Sequence, residues 1–283
     1  MAGAGIKEIK TRMGSVNSTK QITKAMELVA SSKLRKAKEQ AESSDPYFSK
    51  LYETVQEIAQ NTKDVRDPFL ANRKVNNKCY IVVAGDRGLA GGYNANVLRD
   101  TVSHMDGKSE KVIAVGKKST EYFTKRNYEV CKSIPNVEEC GYEGSLEIAN
   151  TAMDLYKKGE VDEVYISYTK FISPLVQEVQ VVKVLPITVD EEAKKGKKSV
   201  VKYLPSPEAV LSYLVPKYVS SVIYGGILQS FASEQGARRT AMESATNNAN
   251  DMLSQLELSY NRARQAAVTQ EISEIVGGAE ALN

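Results

Sequence analysis

Apolar residues recur at helical spacing at the amino-terminal end of the chain. The first apolar positions are three or four residues apart, and a second set follows after a small shift of phase. This spacing predicts one apolar stripe along a long helix. Pro46 predicts a kink or an interruption in it, because a proline ring removes a backbone hydrogen bond. The stripe comprises Ile6, Ile9, Met13 and Val16 and then Ile22, Met26 and Val29.

The carboxyl-terminal part of the chain has a helical pattern again. Ser206 and Pro207 form a start signal, because serine caps the first backbone N–H groups and proline is favoured at the first helical position. Pro216 and the pair Gly225-Gly226 predict a bend in the early turns. Further on, apolar or small residues follow at spacings of three and four: Met242, Ala245, Ala249, Met252, Leu256, Tyr260, Ala263 and Ala267.

The middle of the chain contains short runs that are rich in β-branched residues. These runs predict strands, and helical stretches lie between them. Such an alternation is typical of an α/β domain with a mainly parallel sheet. Ser173 and Pro174 make a short link to the last strand, which predicts an antiparallel edge. The predicted strands are 79–84, 111–115, 129–131, 164–168 and 176–184, and the predicted helices are 94–105, 119–126 and 145–157.

The two terminal helices are too long to pack fully on the middle domain. We therefore expect them to pack on each other as a long antiparallel coiled coil that projects from a Rossmann-like α/β domain. Their stripes contain alanine and methionine rather than Ile/Leu heptads, which disfavours the alternative of a separate dimeric zipper. The predicted domains are an N-terminal coiled-coil helix at 1–62, an α/β foot domain at 73–203 and a C-terminal coiled-coil helix at 207–283.

Composition and charge exclude several classes of function. Lys and Arg number 38 and Asp and Glu 35, so the net charge of +3 is too small for a nucleic-acid protein that acts through bulk charge. The single histidine, His104, argues against histidine-based metal sites and catalytic triads. The three cysteines form no CxxC pair, which indicates free thiols. The sequence predicts neither a membrane span nor a signal or transit peptide.

Two motifs leave a ligand-binding function open. The turn 85–92 follows a predicted strand and precedes a helix, where dinucleotide-binding folds place a phosphate loop. It lacks the GxGxxG spacing, which favours a tight turn with Asp86 and Arg87 exposed or paired locally. The basic run 33–38 has the charge to contact phosphates, an anionic membrane or an acidic protein, but no aromatic residues are interleaved to stack bases. A nucleotide-binding enzyme and a basic coiled-coil binder are therefore the alternative hypotheses.

Several stretches of the sequence resemble the gamma subunit of F-type ATP synthases. The resemblance covers nearly the whole chain, and its carboxyl-terminal part is the most specific. Ala90 is a departure, since the family often has cysteine there, and it has little bearing on function. The stretches are 9–16 (IKTRMGSV), 21–30 (QITKAMELVA), 33–37 (KLRKA), 86–94 (DRGLAGGYN), 233–238 (SEQGAR), 241–242 (AM), 245–246 (AT), 260–266 (YNRARQA) and 269–276 (TQEISEIV).

The resemblance implies a function for this architecture. In that family the helix pair is a shaft inside a ring of α and β subunits, the ring carries the catalytic sites, and ion flow through a membrane ring turns the shaft. The chain is then expected to be the central-stalk rotor subunit, itself non-catalytic, with no cofactor and no metal. The expected partners are the α and β subunits, the epsilon subunit and the membrane c-ring, and no nucleic acid. The coupling ion, proton or sodium, is selected in the membrane ring.

The resemblance also implies which residues contact the ring. Arg238 and Gln265 are expected to hydrogen-bond a β-subunit loop, and small residues at 277–279 suit a bearing with few angle-specific contacts. The other residues expected to contact β subunits, the basic ones through an acidic segment, are Met26, Lys24, Lys33, Arg35, Lys36, Thr269 and Glu271.

The α/β domain is expected to be the foot that meets epsilon and the c-ring. The linker 191–199 contains no cysteine, which argues against the thiol regulation found in the chloroplast form. The expected location is peripheral, on the cytoplasmic side of a bacterial plasma membrane. The foot candidates are Asp86, Arg87, Asn94, Tyr203 and Glu208.

Overall fold

A computed structural model describes residues 2–61, 69–70, 73–187, 203–204 and 206–280. Long helices begin and end the chain, and strands alternate with shorter helices between them. In chain order the elements are α1 (Ala2–Asn61), β1 (Lys78–Val83), α2 (Tyr93–His104), β2 (Lys111–Val115), α3 (Lys117–Lys125), β3 (Glu129–Ile134), α4 (Gly141–Lys157), β4 (Glu163–Phe171), β5 (Gln177–Leu185) and α5 (Pro207–Glu280).

The strands form one sheet in the order β3-β2-β1-β4-β5. Strands β1 to β4 pair in parallel, and β5 pairs antiparallel with β4, which confirms the predicted α/β sheet and its antiparallel edge. In β1 and β2 every residue after the first is buried, as expected for parallel strands covered on both faces. Edge strand β3 alternates between exposed and half-buried residues. This weaker apolar signal is why the sequence predicted only its first half.

Helices cover both faces of the sheet. On one face, Val97 of α2 and Phe123 of α3 pack with Tyr80 and Val82 of β1. On the other, Ile148 of α4 belongs to a larger core with Ile81, Ile113 and Ile166. The same core takes in Val55 and Ile58 from α1 and Leu211, Val215 and Ile223 from α5. The ends of the two long helices that flank the sheet are therefore part of the domain's core.

Neither proline interrupts its helix. Pro46 lies inside α1 and Pro216 inside α5, and α5 also continues through Gly225 and Gly226. A Cβ atom on Gly226 would lie 2.7 Å from Cδ1 of Ile166, so glycine allows α5 to approach β4 closely. The glycine pair thus marks close packing in a continuous helix.

The chain divides into two compact units, residues 31–238 and residues 1–30 with 239–283. In the first, which we call the α/β unit, α1 and α5 run antiparallel. Ala37 clusters with Ala232, and the ring centroids of Tyr52 and Tyr218 are 6.1 Å apart. The residue numbers of the contacting positions therefore decrease along α5 as they increase along α1.

The second compact unit, which we call the helical unit, contains one end of each long helix. Its semi-buried stripe on α1 runs from Ile6 to Val16 as predicted and then continues through Thr23 and Ala30. The predicted shift to Ile22 and Val29 is wrong, since these side chains are 61% and 56% exposed. The reason is that small and polar residues, which an apolar pattern does not detect, continue the stripe without a change of phase.

The α5 stripe in the helical unit follows the prediction with one exception. Met242 and Ala249 are buried, and the half-buried positions continue to Ala267. Met252 is 51% exposed, and its neighbour Leu253 takes the inward position. The hydroxyl oxygens of Thr23 and Thr246 are 2.8 Å apart, so a buried hydrogen bond joins the two helices here.

Candidate functional site

The glycine turn 85–92 connects the end of β1 to the start of α2. The carboxylate of Asp86 accepts hydrogen bonds from the backbone N–H groups of Lys117 (3.0 Å), Asn136 (3.0 Å) and Val137 (2.8 Å). It therefore fastens the turn to the start of α3 and to the loop after β3. Asn94 accepts from the N–H of Gly85 at 2.8 Å and donates to the carbonyl of Arg87 at 3.1 Å. Asp86 thus joins the turn to its surroundings, and Asn94 holds the backbone of the turn itself.

Helix α5 covers the point where a Rossmann-like fold would place a phosphate. The carboxylate of Glu234 is so close to Gly85 that a Cβ atom there would lie 2.8 Å from it. The Tyr93 hydroxyl at the start of α2 lies 2.8 Å from the Ser230 hydroxyl oxygen, and Ser233 donates to the carbonyl of Thr169 at 3.0 Å. The Glu234 side chain fills the space beside Gly85, so the geometry supports the tight-turn interpretation and argues against the nucleotide-binding one.

Arg238 completes this junction between the turn and α5. Its Nη2 lies 2.5 Å from Oε1 of Glu234 and donates to the carbonyl of Gly88 at 3.1 Å. Both partners of the ion pair are buried, with residue exposures of 4% for Glu234 and 9% for Arg238. Burial raises the pKa of Glu234, and the Arg238 guanidinium opposes that rise. Burial likewise raises the pKa of Tyr93 far above its ordinary value.

The basic residues of α1 have different environments. In the α/β unit, Nζ of Lys33 lies 2.5 Å from Oε2 of Glu138, whereas Arg35 and Lys36 are exposed. In the helical unit, Lys24 is exposed and pairs with Glu27 at 3.0 Å, and Met26 is half-buried. Among the described residues Lys33 and Lys24 have acidic partners, whereas Arg35 and Lys36 are exposed and form no salt bridge.

The polar residues predicted near the end of α5 point to solvent. Gln265, Thr269 and Glu271 are all exposed, and so is every residue from 268 to 277. Gly277 has no atom within 4 Å of a Cβ built on it. The side chains at 278 and 279 and the whole of the linker 191–199 lie outside the part of the chain that the structure describes.

The predicted foot residues fall into two separate groups. Tyr203 is half-buried, and Glu208 is exposed in the first turn of α5, where its pKa is lowered by a hydrogen bond from Ser206. The Ser206 hydroxyl also accepts from the N–H of Ala209 at 3.2 Å, which confirms the predicted cap. Asp86 and Asn94 belong to the other group, at the glycine turn, which Arg238 contacts through the carbonyl of Gly88. Glu208 and Arg238 are about 45 Å apart along the helix, so the structure does not bring these two groups together.

Among the side chains of α5 that receive the glycine turn, sequence reasoning named Arg238 only as a contact of the β subunit and missed Ser230 and Glu234. Ser230, Glu234 and Arg238 follow one another at intervals of four and so share a helix face. A polar row within a buried stretch of helix is a signal for such a junction.

Among the described residues no cluster of His, Cys, Asp or Glu has the arrangement of a metal site. Nor does any described helix have the length and hydropathy needed to cross a membrane.

Comparison with known proteins gives a consistent result. A family model described as ATP synthase matches residues 5–282. An ATP synthase gamma chain of Alkaliphilus metalliredigens is 48% identical, with 99% of both chains covered. A gamma chain of Acetobacterium woodii described as sodium ion specific is 46% identical and covers 98% of this chain and 99% of its own length.

Solved structures show the same fold. A chain from the mitochondrial ATP synthase of Euglena gracilis, in a structure of OSCP, F1 and the c-ring, superposes with a TM-score of 0.72 at 20% identity. The alignment covers 99% of this chain and 95% of that one. A rotor structure from the same organism gives a TM-score of 0.67 at 18% identity, with 94% and 99% covered. Sequence and fold agree, and the chain belongs to the ATP synthase gamma chain family.

Proposed function

We propose that this chain is the rotating shaft of an F-type ATP synthase and that the end of α5 turns inside the catalytic ring. Membership of the gamma chain family makes it a non-catalytic subunit of the central stalk. It transmits rotation between an ion-driven membrane ring and the α and β subunits, which hold the nucleotides. Its partners are those subunits, epsilon and the c-ring.

One observation carries the proposal: no described residue covers α5 from 268 to 277. The half-buried stripe on α5 ends at Ala267, and the stripe on α1 starts at Ile6. Beyond Ala267 the apolar side chains Val268, Ile272 and Ile275 are 50%, 56% and 66% exposed. Exposed apolar side chains along a helix end are typical of a segment that a partner encloses.

Polar side chains on the same segment suit contacts that are made and broken during rotation. Gln265, Thr269 and Glu271 are exposed and are free to meet loops of successive β subunits. An exposed hydrogen bond contributes only about 1 kcal/mol, because it replaces bonds to water. Contacts of this strength favour particular rotational positions of the shaft without preventing its rotation.

Arg238 has a different role from Gln265 in this proposal. Both of its side-chain hydrogen bonds to described residues come from Nη2. A guanidinium has five N–H donors, so other donors are left for a β-subunit loop. Because Arg238 also holds Gly88, a force on this side chain reaches the glycine turn directly. We therefore assign the turn, with Asp86, Arg87 and Asn94, to the shaft end of the α/β unit.

The foot is then formed by Tyr203 and Glu208 at the start of α5, which are proposed to face epsilon and the c-ring. As part of ATP synthase, the chain belongs to a membrane-associated complex. We propose the finer location on the cytoplasmic side of a bacterial plasma membrane, based on the identities to bacterial gamma chains.

The test is assembly with matched α and β subunits. The expected product contains one copy of this chain per three α and three β subunits, and its ATPase rate differs from that of α and β alone. Native mass spectrometry and a coupled ATPase assay measure both. Failure to associate, together with saturable binding of ATP or NAD by the isolated chain, would contradict the shaft and favour the nucleotide-binding alternative.

A further inference from the structure

Strand β4 extends beyond its parallel neighbour β1. The pairing of the two strands ends with Val82 opposite Ser167, and β1 then leads into the glycine turn. β4 continues to Phe171 and pairs with β5 along this extension. In a strand the backbone groups of alternate residues face the same neighbour. On the side that β1 has left, the backbone groups of Thr169 and Phe171 therefore need other partners.

Side chains of α5 supply those partners. The N–H of Thr169 donates to Oγ of Ser230 at 3.3 Å, and the Ser233 hydroxyl donates to the carbonyl of Thr169 at 3.0 Å. The N–H of Phe171 donates to Oε1 of Gln229 at 3.2 Å. Side chains of a helix thus take the place of a strand along the end of β4. We call Gln229, Ser230 and Ser233, with these bonds to β4, the α5–β4 seam.

The α5–β4 seam is closed to water at its centre. Ser230 and Ser233 are fully buried, and Thr169 is 3% exposed. The Ser230 hydroxyl oxygen also lies 2.8 Å from that of Tyr93, which connects the seam to the start of α2. In a buried site a broken hydrogen bond is not replaced by a bond to water, so these bonds are costly to break.

These bonds resist rotation of α5 about its own axis. An oxygen atom about 4 Å from the axis of a helix moves about 1 Å when the helix turns by about 15°. Hydrogen-bond lengths in proteins span only about 0.5 Å, so such a turn breaks the seam. The hydrophobic effect has no preferred direction, so apolar contacts alone oppose the first degrees of turning less strongly.

The position of the seam along α5 is also informative. Between the exposed end of α5 and its start, the glycine-turn junction at Arg238 comes first and the seam follows. The fully buried apolar positions Ile223, Val219 and Leu211 come after both. The junction holds a turn, whereas the seam holds a strand inside a sheet, which is the stiffer element. Torque that enters at the exposed end therefore reaches the sheet first at the seam.

We propose that the α5–β4 seam is the joint through which torque passes between the shaft helix α5 and the sheet of the α/β unit. Gln229, Ser230 and Ser233 are then positioning residues for rotation. The inference rests on the proposed function and adds to it the side chains that connect the shaft to the unit that carries the foot.

Single-molecule rotation tests the joint. The complex of this chain with α and β subunits is fixed to a surface through the ring, and a bead is attached at Thr124→Cys on α3 in a Cys131→Ser background. Thr124 is exposed, and Cys79 and Cys140 are buried, so the added cysteine is labelled selectively. The angular variance of the bead during catalytic pauses measures the torsional compliance between the ring and the sheet.

The double variant Ser230→Ala with Ser233→Ala is expected to raise this variance about 1.4-fold. The reason is that the length of α5 that twists grows from about 50 Å, between Ala267 and Ser233, to about 70 Å, between Ala267 and Val219. An unchanged variance overturns the joint. A complex that does not assemble or rotate even with the unsubstituted serines is a different result, since it contradicts the proposed function itself.

Two other buried serines provide the matched control, Ser145→Ala with Ser221→Ala. Ser145 donates within α4 to the carbonyl of Gly141, and Oγ of Ser221 on α5 has no hydrogen-bond partner among the described residues. Both are buried, and neither bonds α5 to the sheet, so the variance is expected to stay as in the unsubstituted complex. An increase equal to that of the seam variant overturns the joint.

Gln229 gives a test that does not depend on a buried position, because this side chain is only half-buried. Gln229→Met removes the acceptor for the N–H of Phe171 at a similar length and is expected to raise the variance about 1.2-fold, since other seam bonds remain. Gln229→Glu keeps an acceptor oxygen and is expected to leave the variance unchanged. Equal variances for Gln229→Met and the unsubstituted complex, or an increase for Gln229→Glu as large as for Gln229→Met, overturn the proposal even where the serine variant fails to fold.

Discussion

The two halves of α5 have the same secondary structure and opposite surroundings. Within the α/β unit, Leu211, Val219 and Ile223 are fully buried, and even Ser230 and Glu234 are enclosed. In the helical unit only a narrow stripe is covered, and after Ala267 every residue to 277 is exposed. In the first half, contacts within the chain fix most side chains. In the second half, most side chains are exposed and available to partners. Substitutions should therefore affect stability in the first half and assembly in the second.

Arg238 and Gln265 are expected to give the largest difference in the free energy of unfolding between the two halves of α5. Arg238→Ala leaves the Glu234 carboxylate buried without its partner, which is expected to lower the free energy of unfolding by about 3 to 5 kcal/mol. Gln265→Ala removes an exposed amide, so stability stays within about 0.5 kcal/mol while coupling or assembly is impaired. Urea denaturation of the isolated chain measures the first, and ATPase coupling in the assembled complex measures the second. A large loss of stability for Gln265→Ala would mean that this side chain contacts the chain itself.

Two glycines sharpen the same comparison. Gly226→Val forces a branched side chain against Ile166 and is expected to lower the free energy of unfolding by about 2 to 3 kcal/mol. Gly277→Ala meets no atom within 4 Å. It is expected to be neutral or to stabilise the helix by up to about 1 kcal/mol. Thermal unfolding followed by circular dichroism distinguishes them, and equal effects would remove the contrast between the two halves.

Asp86 tests whether the glycine turn is held by its own side chains. Asp86→Asn keeps the shape but removes the charge that accepts three N–H groups, with an expected loss of about 1 to 2 kcal/mol of stability. Arg87→Ala, at an exposed neighbour, is the control and is expected to change stability by less than about 0.5 kcal/mol. Chemical denaturation measures both. If Asp86→Asn is as stable as the unsubstituted chain, the three bonds do not hold the turn.

The smallest effect concerns Glu110, a buried carboxylate at the start of β2. Its Oε2 has no hydrogen-bond partner among the described residues, and burial raises its pKa. A raised pKa means that this group's stability contribution is complete below the ordinary Glu pKa and declines as pH rises through the folded-state value. Glu110→Gln is therefore expected to be up to about 1 kcal/mol more stable at pH 8 and no more stable at pH 4. Unfolding free energies at the two pH values check the sign, and a destabilised variant at pH 8 would contradict it.

The sequence predicted some elements closely and others poorly, for physical reasons. Strands β1 and β2 were found within a residue because they are unbroken apolar runs between turns, whereas the second half of β3 lies at the sheet edge with alternating exposure. In α1 the pattern of apolar residues wrongly placed Ile22 and Val29 inside. Thr23 took that position because a hydroxyl pair with Thr246 fills it.

The sequence by itself determined the long terminal helices, the α/β alternation between them and the family, since helix periodicity, strand runs and motifs are all local in the chain. Tertiary structure decided which polar groups are buried. Glu234 covers Gly85, and Phe171 at the end of β4 packs with Ala37 and lies beside Gly236, although these residues are far apart in sequence. Burial depends on what packs against a side chain from elsewhere in the fold, and no local pattern contains that neighbour. For the same reason, the exposed end of α5 became visible only when the extent of its cover by α1 was known.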